Sequence, residues 1–381
     1  MTRAASGAVL AAVLAACAGP GAGSEAPVVG PVLEVTARDG TPLRYEWVPD
    51  FAVDAEGVPL CGRLGNTHGA VVVDGAGEVL FDTDTQDAIV VLRRDGVRER
   101  AFGAEFAGGL HGMRLVRDFD PATGSPRETL FLAHHAHGEL ARVALDGTVL
   151  WKRGYPEESG LYRSAGEFHP TAIDVAPDGT LWVADGYGFS FVHHFDANGT
   201  WLEAFGGMGE EDGRFRTCHG LSIDASGARP ELWVADRENG RLQVFDVHGE
   251  HLRTIAGDFR RPCSVERGPD GLRVVADLAG RVTLLDADGT VLGHLGDQPD
   301  AAKRANNGVP PEQWTDGEFV APHHASFDAQ GNLYVVDWVA TGRISKLRRL
   351  RGSAFAGGVR DRSDPSGYPT ITEGPLRPDT A

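Results

Sequence analysis

The feature that most constrains this chain is a short unit that it repeats. Its clearest copy is Thr217-Cys218-His219-Gly220-Leu221-Ser222-Ile223-Asp224 followed by Glu231-Leu232-Trp233-Val234-Ala235-Asp236-Arg237-Glu238-Asn239-Gly240-Arg241-Leu242-Gln243-Val244-Phe245-Asp246. Apolar residues alternate with others over short runs, and turn residues break the runs, which is the pattern of strand, turn, strand, turn, strand. Five further copies are recognisable. Unit one spans His68 to Phe102, unit two His111 to Trp151, unit three Phe168 to Phe205, unit five Pro262 to Leu295 and unit six Pro322 to Leu350.

The aspartates closing the second strands, Asp185, Asp236, Asp277 and Asp337, lie 51, 41 and 60 residues apart. A core period near 40–45 residues with four strands per unit is the signature of a β-propeller blade. The longest interval contains the polar stretch Asp297 to Gly317, expected as a surface loop over one face. Unit two carries a polar insertion at Asp120 to Arg127. Unit six lacks an obvious fourth strand, and the strand-turn-strand of Val32 to Trp47 can supply it. The expectation is an all-β, six-bladed propeller over residues 32–352, its ring closed by the N-terminus so that no edge stays open.

The ends belong outside that ring. Arg3 and the short apolar run Ala8 to Ala16, ending Leu14-Ala15-Ala16-Cys17, have the form of a bacterial lipoprotein signal over residues 1–17. The expectation is an exported protein, lipidated at Cys17 and held on the cell envelope through that anchor alone. Residues 18–31 form a Gly- and Pro-bearing tether, and 353–381 an expected disordered tail. A formal net charge of -18 with no Lys/Arg-rich run argues against nucleic acid or an anionic membrane surface as partner. Besides Cys17 there are three cysteines, Cys61, Cys218 and Cys263, an odd number that leaves at least one thiol unpaired or bound to something else.

In a propeller, the residue just before the innermost strand of a blade faces its counterparts across the axis. Three units place histidine there: Leu110-His111-Gly112-Met113, Cys218-His219-Gly220-Leu221 and Pro322-His323-His324-Ala325. One such histidine is usually a satisfied turn residue. Three imidazoles at one phase of a repeat, with a fourth position open, match a catalytic zinc site. His68 and His169 fall one or two residues early. Cys263 stands where unit four has its histidine, although a small buried residue is the simpler reading of it. His134, His135, His137, His193 and His194 have the placement of surface or core residues.

The Asp185-Gly186-Tyr187 and Val234-to-Arg241 segments, together with the three histidines, resemble peptidyl-α-hydroxyglycine α-amidating lyase, a six-bladed NHL-type propeller. The resemblance covers roughly His68 to Leu350. It implies a zinc held by His111, His219 and His323, a base at Tyr187 acidified by the nearby cation and arginine, and a substrate-binding arginine at Arg237. It also implies release of glyoxylate from a carbinolamide. The chain departs from the family in four places. No arginine stands near Phe81-Asp82-Thr83. His324 replaces a calcium-binding aspartate, which argues against structural calcium and offers an additional metal ligand. Ala321 replaces a methionine, and paired cysteines are missing beside Tyr187 and Val234.

Two classes of function compete on this sequence. One is a metal-dependent carbon–nitrogen lyase acting on a small-molecule or peptide ligand in the central channel. The other is a non-catalytic propeller lipoprotein that binds a peptide, glycan or protein partner. A three-histidine cluster serves the first and is superfluous to the second.

Overall fold

The computed structural model describes residues 29–120 and 123–350. The leader with Cys17, most of the tether and the C-terminal tail therefore lie outside the described residues. What is described is a ring of six antiparallel sheets. Starting from their innermost strands, the blades begin at Val71–Val73, Leu110–Phe119, Ala172–Val175, Cys218–Asp224, Pro262–Arg267 and Pro322–Phe327. In blades 1 to 5 the four strands pair in sequence order from the axis outwards. Among the described residues there is no α-helix, only five single-turn 3-10 segments.

Alternation with both faces apolar is what stacks the sheets. In the blade 4 strand Glu231–Asp236, Leu232 and Val234 join the core shared with blade 3, while Trp233 and Ala235 join the core shared with blade 5. The same arrangement recurs at every junction, including Val274 and Leu284 of blade 5 against Val335 and Leu347 of blade 6. A blade cannot bury both faces alone, so the hydrophobic term is collected only when the ring is complete. Blade 2 has the longest hairpin. Its inner strands, expected as Met113 to Val116 and Thr129 to Ala133, extend to Leu110–Phe119 and Pro126–His134, so the polar insertion prolongs the ladder.

Ring closure comes from the N-terminus. Pro42–Val48 pairs with Arg343–Leu350 as the fourth strand of blade 6, and Val32–Thr36 adds a fifth outside it. Trp47 is the anchor of this closure, buried in the blade 5–blade 6 core with Phe319 at 5.0 Å between ring centroids. Beside it, Glu46 is buried and accepts from Arg348 Nε at 2.6 Å.

Buried carboxylates then fix the loops that enter the blades. Asp185 accepts from the amide of His169, Asp236 from Arg216, Asp277 from Arg260 and Arg261, and Asp337 from Val320 and Ala321. In blade 2 the same place is held by His134, whose Nδ1 accepts from the His137 amide. The acid that marks the sequence period therefore clamps the chain just before it reaches the axis.

If closure by the N-terminal strand carries the ring, Trp47→Ala should destabilise the protein by about 3–5 kcal/mol. The exposed Val32→Ala should change it by less than about 0.5 kcal/mol. Chemical unfolding of the two variants checks this, and equal midpoints would contradict it.

Candidate metal centre

Each axial residue sits on a local defect of its ladder. The pairing of the innermost strand shifts register between Leu110 and Gly112, between Cys218 and Gly220, between Pro262 and Ser264, and between Pro322 and His324. The residue skipped is His111, His219, Cys263 and His323 respectively. A bulge turns one side chain out of the alternation, and here it turns four of them towards the axis.

The three histidine rings form a near-equilateral triangle, with centroids 4.7 Å apart for His111–His323 and 4.8 Å for the other two pairs. Each Nδ1 reaches a backbone carbonyl of the next blade: His111 to Thr171 at 2.7 Å, His219 to Cys263 at 2.9 Å and His323 to Gly69 at 2.9 Å. A carbonyl only accepts, so Nδ1 carries the proton and Nε2 keeps its lone pair. The rings are nearly fully buried. Burial and neighbouring imidazoles, with Arg237 for His219 and His323, hold all three well below the usual histidine pKa. They are neutral at pH 7.

The glycines after two of these histidines follow from the same contacts. A Cβ on Gly112 would stand 2.9 Å from the Thr171 carbonyl oxygen, and one on Gly220 would stand 2.3 Å from that of Cys263. These are the oxygens that orient His111 and His219. In blade 6 the corresponding residue is His324. Its Nδ1 faces the Val71 amide at 3.4 Å, and its Nε2 lies 3.6 Å from Glu266. The structure thus places His324 beside the channel cavity but outside the cluster of donor atoms, in a neighbouring layer where Arg114 bridges Asp174 and Glu266.

Tyr187 caps the triangle. Its hydroxyl lies 3.0 Å from His219 Nε2, 3.3 Å from His111 Nε2 and 3.5 Å from His68 Nε2, and it accepts from Arg237 Nη1 at 3.3 Å. Burial pushes its pKa up, against the pull of Arg237. Among the protein's own residues desolvation outweighs the pull of the guanidinium. Arg237 opens the 3-10 turn after Asp236 and also donates from Nε to Glu238 at 2.9 Å.

The donor set fits a cation. One tyrosine proton cannot serve both His219 and His111, and buried His323 Nε2 has no hydrogen-bond partner among the described residues. Lone pairs outnumber protons around one point. Donor atoms within 4.8 Å of one another form two groups sharing His323: His68, His111 and His323, and His219, Cys263 and His323. No single group of that size contains the whole expected trio.

His68, His135 and Cys263 are the residues that sequence reasoning placed low. The His68 ring lies 5.0 Å from both His111 and His323, and His135 lies 5.7 Å from His111. Blade 1 begins late, at Val71, without a bulge, so a histidine one residue early still reaches the axis. A usable signal for His135 existed: it follows His134 as Arg237 follows Asp236 and Trp338 follows Asp337. His135 and Trp338 both flank the His68 ring, at 5.9 and 5.5 Å between centroids.

No protein-family model matches the chain. Peptidyl-glycine alpha-amidating monooxygenase B of Xenopus laevis is 37% identical over 92 residues, 23% of this chain and 10% of that protein. A Caenorhabditis elegans protein named "Probable peptidyl-alpha-hydroxyglycine alpha-amidating lyase" is 38% identical over 80 residues, 20% of this chain and 22% of that one. The chain resembles the amidating lyases. It also resembles NHL repeat-containing protein 3 of Mus musculus, at 26% identity over 236 residues, 58% of this chain and 60% of that protein. The matched part is thus less than two thirds of each of these relatives. Among solved structures, a Xanthomonas campestris gluconolactonase superposes with a TM-score of 0.53 at 16% identity, over 85% of this chain and 97% of that one, which is a likeness of fold.

Behind Tyr187 runs a polar chain. Trp201 Nε1 donates to His193 Nδ1 at 3.2 Å, His193 Nε2 meets the Tyr162 hydroxyl at 2.7 Å, and Tyr162 donates to Asp185 at 2.7 Å. Burial lowers His193 to about 3. An ordinary histidine titrates near 6.5. The stability that neutral His193 contributes is therefore complete above pH 6.5 and is lost as pH falls towards the folded value. The stability gap between the protein and His193→Gln should narrow on going from pH 7 to pH 5, by up to about 1.4 kcal/mol per unit, and a constant gap would refute this. Separately, Gly220→Ala should cost about 1–3 kcal/mol by crowding the Cys263 carbonyl. Gly154→Ala, with open space around it, should be near neutral in the same unfolding measurement.

Proposed function

We propose that this chain is a metal-dependent carbon–nitrogen lyase of the amidating-lyase type, cleaving a carbinolamide such as a peptidyl-α-hydroxyglycine into an amide and glyoxylate. The observation that carries the reading is the set of inward Nε2 lone pairs from His111, His219 and His323, facing the Tyr187 hydroxyl beside Arg237. Zinc is the cation that such a donor set and the resemblance favour, and when bound it would act as a Lewis acid on a hydroxyl oxygen.

The protein's own residues do the rest. Arg237 Nη1 donates to the Tyr187 oxygen, which favours the phenolate, and its guanidinium offers donors to a substrate carboxylate. Tyr187, deprotonated where Arg237 and a bound cation together offset its burial, takes the carbinol proton. The electrons of that O–H bond form the new carbonyl as the C–N bond breaks, and Tyr187 returns the proton to the departing amide nitrogen. The half-buried rings of His68 and His135 narrow the rim beside Tyr187.

One observation favours a substrate differing from the family's. Where an arginine would stand in blade 1, the strand end carries buried Asp82 and Thr83, and Asp84 accepts from Asn66 beside them. Asp82 is spent as that blade's own clamp, accepting from the Ala70 amide, so a second carboxylate-binding guanidinium is missing there, which suits an N-substituted compound with less negative charge. A non-catalytic binding propeller is the second reading, consistent with that same loss. Export with a lipid anchor at Cys17 is part of the proposal and rests on the leader sequence alone.

Glyoxylate release from a panel of hydroxyglycine peptides and smaller N-substituted carbinolamides tests the proposal. Turnover should appear with at least one of them and fall by about 10²–10⁴-fold in Tyr187→Phe, with bound metal unchanged. Full activity in that variant would remove Tyr187 from the mechanism. A metal-loaded, folded protein without turnover on any carbinolamide would favour the binding reading.

A further inference from the structure

Cys263 occupies in blade 5 the bulge position that holds His111, His219 and His323 in blades 2, 4 and 6. Its side chain is buried and forms no disulfide among the described residues. Its sulfur and the donor nitrogens of His219 and His323 lie within 4.8 Å of one another. Its backbone carbonyl is the one that orients His219. A single residue thus sets one imidazole and presents a sulfur to the same point.

We propose that Cys263 is a protein ligand of the metal centre, making it a mixed nitrogen–sulfur site for a thiophilic transition-metal ion rather than an all-imidazole one. This inference rests on the metal-centre reading above and specifies its donor set. Bonds of about 2.0–2.3 Å from one ion to nitrogen and sulfur put tetrahedral donors roughly 3.3–3.8 Å apart. Closing from 4.8 Å needs a shift of at most about 1.5 Å. His323 Nε2, buried and without a partner, aims a second ligand at the same place.

Without an ion the surroundings keep the thiol protonated. Burial pushes the thiol up to about 11, against the pull of the positive charge on Arg237. A coordinated thiol is deprotonated outright by the ion's charge. On the other side, Val309 from the blade 5–blade 6 loop packs in one cluster with Cys263, Leu278 and Val320. That loop, expected as a surface cover, shields the sulfur from solvent and oxidants. The ligand set favours zinc, cobalt(II) or cadmium over magnesium, calcium or manganese, whose preferences are for oxygen.

The experiment loads the untagged full chain with cobalt(II) and records its absorption spectrum and bound cobalt. A thiolate on cobalt(II) gives an intense near-ultraviolet charge-transfer band in addition to the weaker visible bands. The protein should show that band. Cys263→Ser should lose it entirely, and Cys61→Ser, altered far from the axis, should keep it at full intensity. Bound cobalt without the band in the unmodified protein would overturn the thiolate ligand while leaving an all-imidazole centre standing. A band that persists in Cys263→Ser would equally overturn it. A folded protein that binds no cobalt would overturn the metal centre itself.

Discussion

The site depends on three hydrogen bonds between blades, each from an imidazole Nδ1 to a backbone carbonyl of its neighbour. They run from blade 2 to blade 3, from blade 4 to blade 5 and from blade 6 to blade 1. Each bond does two things. It satisfies a buried donor that would otherwise cost about 1–3 kcal/mol, and it fixes the tautomer that leaves Nε2 bare. A second partner that holds a histidine in this way is the usual companion of a metal ligand. Because every acceptor is backbone of the adjoining blade, ring closure and site geometry are one event. The Pro42–Val48 strand, on the outside of the molecule, thereby helps to orient His323 at its centre.

Electrostatics set a demand that the protein alone does not meet. Three neutral imidazoles, His68 and a phenol with one proton converge in a buried space, and desolvation keeps further protons out. Arg237 supplies positive charge from one side only, and half of its fork is already engaged by Glu238. A cation would resolve the surplus of lone pairs at once. The layer beneath holds a cation of its own. There Arg114 sits between Asp174 and Glu266, so a guanidinium already links blades 2, 3 and 5 across the channel.

Much of this was legible in the sequence for a definite reason. The clamp aspartates recur because every loop entering a blade presents free amides, so they mark both the period and the strand ends. The histidines are in phase because each occupies the same bulge, and the glycines after His111 and His219 follow from close approach of the next blade. What escaped was set by local offsets and by three-dimensional neighbours. His68 reaches the axis from a blade that starts late. His135 belongs to a rim layer visible only once the residue after each clamp is aligned with Arg237. Cys263 was in register but looked like small core, because a thiol is equally at home in either role. The rise in the Tyr187 pKa follows from burial, which no short motif encodes.

The measurement that bears most directly on the central claim is metal stoichiometry by elemental analysis, on protein purified without chelator or histidine tag, for the unmodified chain and His219→Ala. The account predicts about one transition-metal ion per folded chain, and loss of most of it in the variant while the fold survives. A metal-free protein that folds and unfolds cooperatively, or a variant with undiminished metal, would contradict it.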